Sequence, residues 1–227
     1  MNHRRSQTGF TLIELMLAMT FISMLLLAIA LTTIQLSNMY TKGITLKSVN
    51  EAGRSVGAAL QRDVASSRPF DVTPGDEGAQ LITNAGTGRL CMGQISYAWT
   101  YGENIVNESD VIRYNDGGIV RLARVTDSGR RICNDIEAPV ERARATELLV
   151  SSDSLELALH ELAITSSASD SLTGQALYNI KFVVGTNEQE ALSSGNTSCQ
   201  PPNQEAGNWQ FCAVNVFNIV ARAGNRE

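Results

Sequence analysis

The sequence predicts an α+β fold: one long N-terminal helix, part transmembrane and part amphipathic, packed on an antiparallel β-sheet. Three observations carry that prediction. No residue from Leu15 to Ile34 is charged. Val49, Ala52, Val56, Leu60 and Val64 recur at intervals of three and four, the period of a helix with one buried stripe. Beyond Gly88, runs rich in β-branched and aromatic residues alternate with Gly, Asn and Asp clusters, a pattern of strands and tight turns. At 227 residues the chain has room for one domain and one long extra element.

The chain opens with MNHRRSQTG, short, polar and basic, and turns apolar at Phe10. At about 1.5 Å per residue, a helix from Leu15 to Ile34 reaches roughly 30 Å, the thickness of a bilayer's hydrocarbon core. His3, Arg4 and Arg5 ahead of it predict a single-pass protein with a cytoplasmic N-terminus and an extracytoplasmic body. Glu14 stands against the apolar pattern. A carboxylate at the centre of a membrane helix costs on the order of 2.5–3.5 kcal/mol, less near its edge, and calls for a partner. Cutting the peptide bond after Gly9 creates one: an amino group on Phe10, about one helical turn from Glu14. The pair can form within one chain or between neighbours.

Two plainer readings compete. A secretory signal also has basic residues and an apolar run, and Ala28-Ile29-Ala30 offers it a cleavage site. Such a signal needs neither Glu14 nor an apolar run that continues to Ile34. A generic single-pass anchor accounts for the length but leaves Gly9, Phe10 and Glu14 as coincidences.

With basic residues upstream, GFTLIEL places Gly before the cut, an aromatic after it and Glu five residues beyond the Gly. This resembles the cleavage and methylation motif of the type IV prepilins, the family of minor pilins and pseudopilins. The resemblance implies that a prepilin peptidase cleaves between Gly9 and Phe10 and methylates the Phe10 amine. It also implies that Glu14 pairs with the amine of an adjacent subunit, setting the axial stagger of a filament. The implied function is a structural subunit of a type IV pilus or a type II secretion-like filament, with a pilus-tip, adhesin-like binding module as the alternative. Its implied partners are other pilin subunits, an assembly platform in the membrane and the lipid bilayer, with a cell-surface filament as the end state. Major pilins often carry a proline that kinks the membrane half of this helix. Here no proline precedes Pro69, so the anchor is expected to be straighter.

The expected organisation is a leader (1–9), a transmembrane and assembly helix (10–36), its amphipathic continuation (37–67) and a globular sheet domain (68–227). Ser66-Ser67-Arg68-Pro69 should end the helix. Its charged residues Lys47, Glu51, Arg54, Arg62 and Asp63 fall largely between the apolar positions. The stripe is too narrow to be stable alone in water and needs cover from the C-terminal half. A continuous helix of this kind matches the architecture of the resembled family.

Pro69 to Gly88 reads as a loop with one short strand near Gln80–Thr83. ISYAWTY alternates through Ile95, Tyr97, Trp99 and Tyr101, a strand with one packed face. Asp110–Tyr114 and Ile119–Val125 flank Asn115-Asp116-Gly117-Gly118, a hairpin signal. Further strands are expected at Leu155–Ile164, Leu177–Val184 and Phe211–Ala221, while Glu141–Val150 suits a short helix or a strand equally. YNIKFVVGT, FNIVARAG and LQRDVASS look like the larger minor pilins and pseudopilins.

Cys91, Cys133, Cys199 and Cys212 contain no C-x-x-C, which argues against zinc-ribbon and thioredoxin readings. Behind an export signal they read as two disulfides. Three pairings are open, and the sequential one is expected. The Cys199–Cys212 loop, with Pro201, Pro202 and Trp209, would contribute about 3 kcal/mol. In pilins such a loop often forms an exposed surface, so it serves contact or adhesion, or stability alone.

Enzyme chemistry finds no support. Gly53-Arg54-Ser55-Val56-Gly57 spells G-x-S-x-G but falls inside the expected amphipathic helix rather than on a strand-to-helix turn, and H-E-x-x-H, P-loop and dinucleotide fingerprints are missing from the sequence. Of two histidines, His3 lies in the leader and His160, within LELALHELAI, reads as structural. Glu188 and Glu190 belong to a solvated turn; the loops rich in Asp, Asn and Gly leave a calcium site open but show no EF-hand spacing, so no metal ligand is assigned and no cofactor is expected. The formal charge is −5, and −7 without the first nine residues, which leaves 16 basic against 23 acidic residues. That balance does not suit nucleic acid as a partner, although Arg121, Arg124, Arg130 and Arg131 form a local basic cluster.

Overall fold

Helix α1 runs from Leu12 to Ser66, 55 residues without a proline, so no backbone N–H in it is lost to a pyrrolidine ring. It ends where the hydroxyls of Ser66 and Ser67 turn back to the carbonyls of Asp63 and Val64, three residues before Pro69. In a computed structural model the described residues are 11–149, 155–170, 174–193, 195–201 and 209–224. Gly9, Phe10 and the leader lie outside them, as do Pro202, most of the Cys199–Cys212 loop and Val150. The chain divides into two units, Met1–Thr41 and Lys42–Glu227.

Within the first unit, α1 is the only element among the described residues, and its apolar side chains from Leu12 to Leu36 are all exposed. It is long and apolar enough to cross a membrane.

Among the described residues, the second unit holds the rest of α1 and eight strands. Strands β1 (Leu81–Thr83), β2 (Thr87–Cys91), β3 (Ile95–Thr100), β4 (Leu122–Thr126) and β5 (Ala145–Glu147) form an antiparallel sheet in sequence order. Strands β6 (Leu157–Asp170), β7 (Gln175–Thr186) and β8 (Val214–Ala223) form a second antiparallel sheet. The α+β class is as the sequence predicts, but the sheet is divided in two. The short helix α2 (Gly102–Asn107) leaves β3 directly and packs on β6. A single parallel bridge, Tyr101 to Leu159, is the pairing across that seam among the described residues.

The stripe of α1 is the centre of the core. Val49, Val56, Leu60 and Val64 are buried against Tyr97, Trp99 and Leu122 of the first sheet and Tyr178, Ile180 and Phe182 of the second. Each such aliphatic side chain contributes roughly 1.5–3 kcal/mol on burial. Cover therefore comes from both sheets, and not from the C-terminal half alone. Gly53 lets the helix approach β8 closely, because a Cβ there would fall 2.1 Å from the Phe217 ring.

Strand β3 departs from the expected single packed face. Tyr97 and Trp99 face α1, while Ala98 joins Cys91, Ala123, Ile132 and Cys133 in a second core on the opposite side. The expected hairpin at 110–125 closes its turn, with Tyr114 N–H donating to Gly118 O, but its first arm is only a bridge between Arg113 and Ile119. β4 takes its pairing from β3 and β5 instead. Glu141–Val150 resolves into a 3-10 turn at Arg142–Arg144 followed by β5. Sequence reading passed over β2 and α2. TGRLC and GENIVN are too short to show a period, and Gly88 weakens the strand signal.

Candidate assembly site

The first turn of α1 is closed by its own sequence. Thr11 stands at the N-cap and Glu14 three residues on, the T-x-x-E spacing of a capping box. The Thr11 N–H and hydroxyl donate to Glu14 Oε2 at 3.0 and 2.8 Å, and the Glu14 N–H donates back to Thr11 Oγ1 at 3.3 Å. Two orphan donors of the helix end are satisfied this way, and the carboxylate sits at the positive end of the helix dipole. Both bonds fall on one oxygen. Glu14 Oε1 has no partner among the described residues. Thr11 was not singled out from the sequence, although TLIE itself carries the signal.

Further along the apolar stretch, hydroxyls bond to carbonyls one turn back. Thr20 donates to Leu17 O and Ser23 to Met19 O, each at 2.8 Å, while Thr32 and Thr33 donate to Ile29 O at 2.9 and 2.8 Å. A side chain satisfied internally makes no demand on its surroundings, which suits a hydrocarbon environment.

In the second unit, polar ties fix α1 to the sheets. Asp63, placed by its spacing among the charged positions, is 4% exposed. It accepts from the Tyr97 hydroxyl at 2.6 Å and from Arg124 Nε and Nη2 at 2.6 and 2.9 Å. Burial, and then the Asp63 carboxylate, push the Tyr97 hydroxyl far above its usual range. The same carboxylate raises the Arg124 guanidinium. Lys42 donates to the carbonyls of Trp209 and Cys212 beside the second disulfide, and burial lowers its ammonium.

The disulfides Cys91–Cys133 and Cys199–Cys212 have Cα separations of 6.4 and 5.9 Å, within the ordinary range. The first joins β2 to α3 (Arg131–Asn134) inside the second core. His160 lies on β6 with Nε2 3.1 Å from Thr186 O. Glu188 and Glu190 are exposed.

The basic cluster does not survive folding as a free surface. Arg121 pairs with Glu156 at 2.9 Å, Arg124 with Asp63, and Arg131 with Glu141, while Arg130 donates to Gly78 O at 2.9 Å. Each guanidinium is drawn to a different neighbour.

Residues 4–34 match the prokaryotic N-terminal methylation motif, which is characteristic of type IV pilin-like proteins. No curated protein and no solved structure matches the chain. The motif and the apolar helix fit a pilin-like, membrane-anchored precursor, and the proteins that share the motif are structural.

Proposed function

We propose that the chain is the precursor of a minor pilin or pseudopilin, a structural subunit of a type IV pilus or a type II secretion-like filament. A prepilin peptidase cuts between Gly9 and Phe10 and methylates the new Phe10 amine. Residues 1–9 are then the discarded leader, 10–36 the membrane and assembly helix, 37–67 its amphipathic continuation and 68–227 the extracytoplasmic domain. The N-terminus starts in the cytoplasm, and an assembly platform draws the subunit from the bilayer into a stack of its own or related subunits.

One observation carries the reading: a carboxylate at the head of an unpacked apolar helix, held by Thr11 through one oxygen with the other unpartnered among the described residues. In the bilayer that open oxygen lacks a charged partner, which is costly. The methylated amine of Phe10 on a neighbouring subunit supplies one. Assembly is then an exchange, in which helix faces leave lipid for one another and Glu14 gains a counter-charge.

The N-terminal mass of native protein tests this most directly. The expected species begins at Phe10 and carries one added methyl group. Material that keeps its leader, or is trimmed near Ala30, would overturn the proposal. Replacing Gly9 should leave the larger precursor, whereas Glu14→Gln should be processed normally yet fail to enter filaments.

A further inference from the structure

Lys42, the first residue of the second unit, holds a turn from far along the chain. Its Nζ donates to the carbonyl of Trp209 at 3.2 Å and to that of Cys212, and Thr45 Oγ1 donates to Gln210 O at 3.2 Å. The Ala213 carbonyl accepts from the Thr186 N–H at 2.8 Å. The acceptors of the 3-10 turn Trp209–Phe211 and its exit are thus largely satisfied from within the unit, chiefly by α1. Lys42 turns its ammonium inward to do this, and the outer surface is left to rings. Phe211 is 40% exposed and Trp209 is half-buried, while Ile44 and Leu46, just beyond Lys42, are exposed as well.

The covalent chain sets where this turn can be. Leu36 closes the exposed apolar stretch, and Lys42 follows six residues later, about 9 Å along a helix and at most about 22 Å for any path of the chain. A turn bonded to Lys42 stays near the bilayer surface however the unit is oriented. Its chemistry suits the headgroup layer, where Trp and Phe place apolar rings and where unpaired carbonyls are costly as water thins out. Acidic residues outnumber basic ones 23 to 18 in the whole chain, yet none lies between Glu14 and Glu51 or between Glu205 and Glu227. Neither segment therefore brings a carboxylate against the lipid phosphates.

We propose, on the reading of residues 10–36 as a membrane helix, that the Trp209–Phe211 turn is an interfacial anchor whose two rings seat among phospholipid headgroups and hold the second unit against the bilayer. A soluble partner would have to reach these rings through space the headgroups already fill. The anchor acts before assembly and is given up when the subunit leaves the membrane. Apolar rings carry it, so it needs no anionic lipid.

The test uses the full chain, with both disulfides intact, in phosphatidylcholine vesicles whose acyl chains carry bromine close to the headgroup, a contact quencher of indole emission. The chain has two tryptophans, and Trp99 is fully buried in the core, which makes it an internal reference. The parent chain should lose emission relative to unbrominated vesicles, and less of it when bromine is moved to the chain ends. W209F, which keeps Trp99, should lose none. Phe211→Glu should reduce the loss, since it puts a carboxylate among the headgroups. Equal loss in the parent and W209F, or undiminished loss in F211E, would overturn the anchor. F211E keeps both indoles and decides the matter even if W209F folds poorly. Flotation with the vesicles separates the two readings. A chain that does not float sinks the membrane helix and the anchor together, whereas one that floats with Trp209 unquenched sinks the anchor alone.

Discussion

Two stretches of α1 carry similar apolar residues and meet opposite fates. Between Leu12 and Leu36 even the most enclosed large side chain, Leu25, is 46% exposed, whereas Val49, Val56, Leu60 and Val64 are at most 1% exposed. Composition and periodicity both separate them: the first stretch is uncharged from Leu15 to Ile34, apolar on every side, and needs an apolar medium or other helices, while the second sets one apolar stripe among Lys47, Glu51, Arg54 and Arg62 and needs one partner face. The second stretch also holds a buried carboxylate that is paired from two strands, and the first holds one that is satisfied by its own cap. Ties to the sheets thus belong to the lower stretch, and self-sufficiency to the upper.

This contrast can be broken by mutation, starting with its strongest tie. Asp63→Ala leaves Arg124 and Tyr97 without the group they surround and should cost the second unit about 3–5 kcal/mol, read by denaturant unfolding through Trp fluorescence. Membrane insertion and cleavage should be unaffected, and a loss under about 1 kcal/mol would mean that the triad does not anchor the helix.

Next comes the staple remote from α1. Replacing Cys91 and Cys133 together by Ser opens a 42-residue loop, and the chain-entropy estimate of the loss is about 4 kcal/mol. Removal of Cys199 and Cys212, whose separation is 13, should cost less, about 3 kcal/mol, and a reversed order would point to native-state packing rather than loop closure.

The same substitution placed in each stretch sharpens the contrast most directly. Leu60→Ala should destabilise the second unit by about 2–5 kcal/mol, and Leu25→Ala should change its unfolding by no more than about 0.5 kcal/mol. Equal effects would erase the distinction drawn above. Any consequence of Leu25→Ala should surface instead in recovery of assembled filaments.

Much of this was legible in advance because it is local. The helix end at Ser66, the buried stripe and the positions of β3, β6, β7 and β8 follow from spacing and turn chemistry within a few residues. Glu14 announced itself as a charge in an apolar run. What escaped notice was non-local or too short: β2, α2, the split between the sheets, and the burial of Asp63. A carboxylate at that position reads as solvated until β3 and β4 bring Tyr97 and Arg124 to it from residues 34 and 61 further along the chain. The basic cluster failed for the same reason, since only folding supplies Glu156, Asp63 and Glu141 as partners.

By itself the sequence determined the long helix, its apolar first half, the carboxylate at its head and the motif that surrounds it, because each depends on neighbours one to four residues apart. Tertiary structure alone decided which charges are buried in pairs, how the strands divide into two sheets, and that the Trp209–Phe211 turn is tied to Lys42 and Thr45 of α1. Those outcomes rest on contacts between residues tens to more than a hundred positions apart, where local spacing carries no information about which groups will meet.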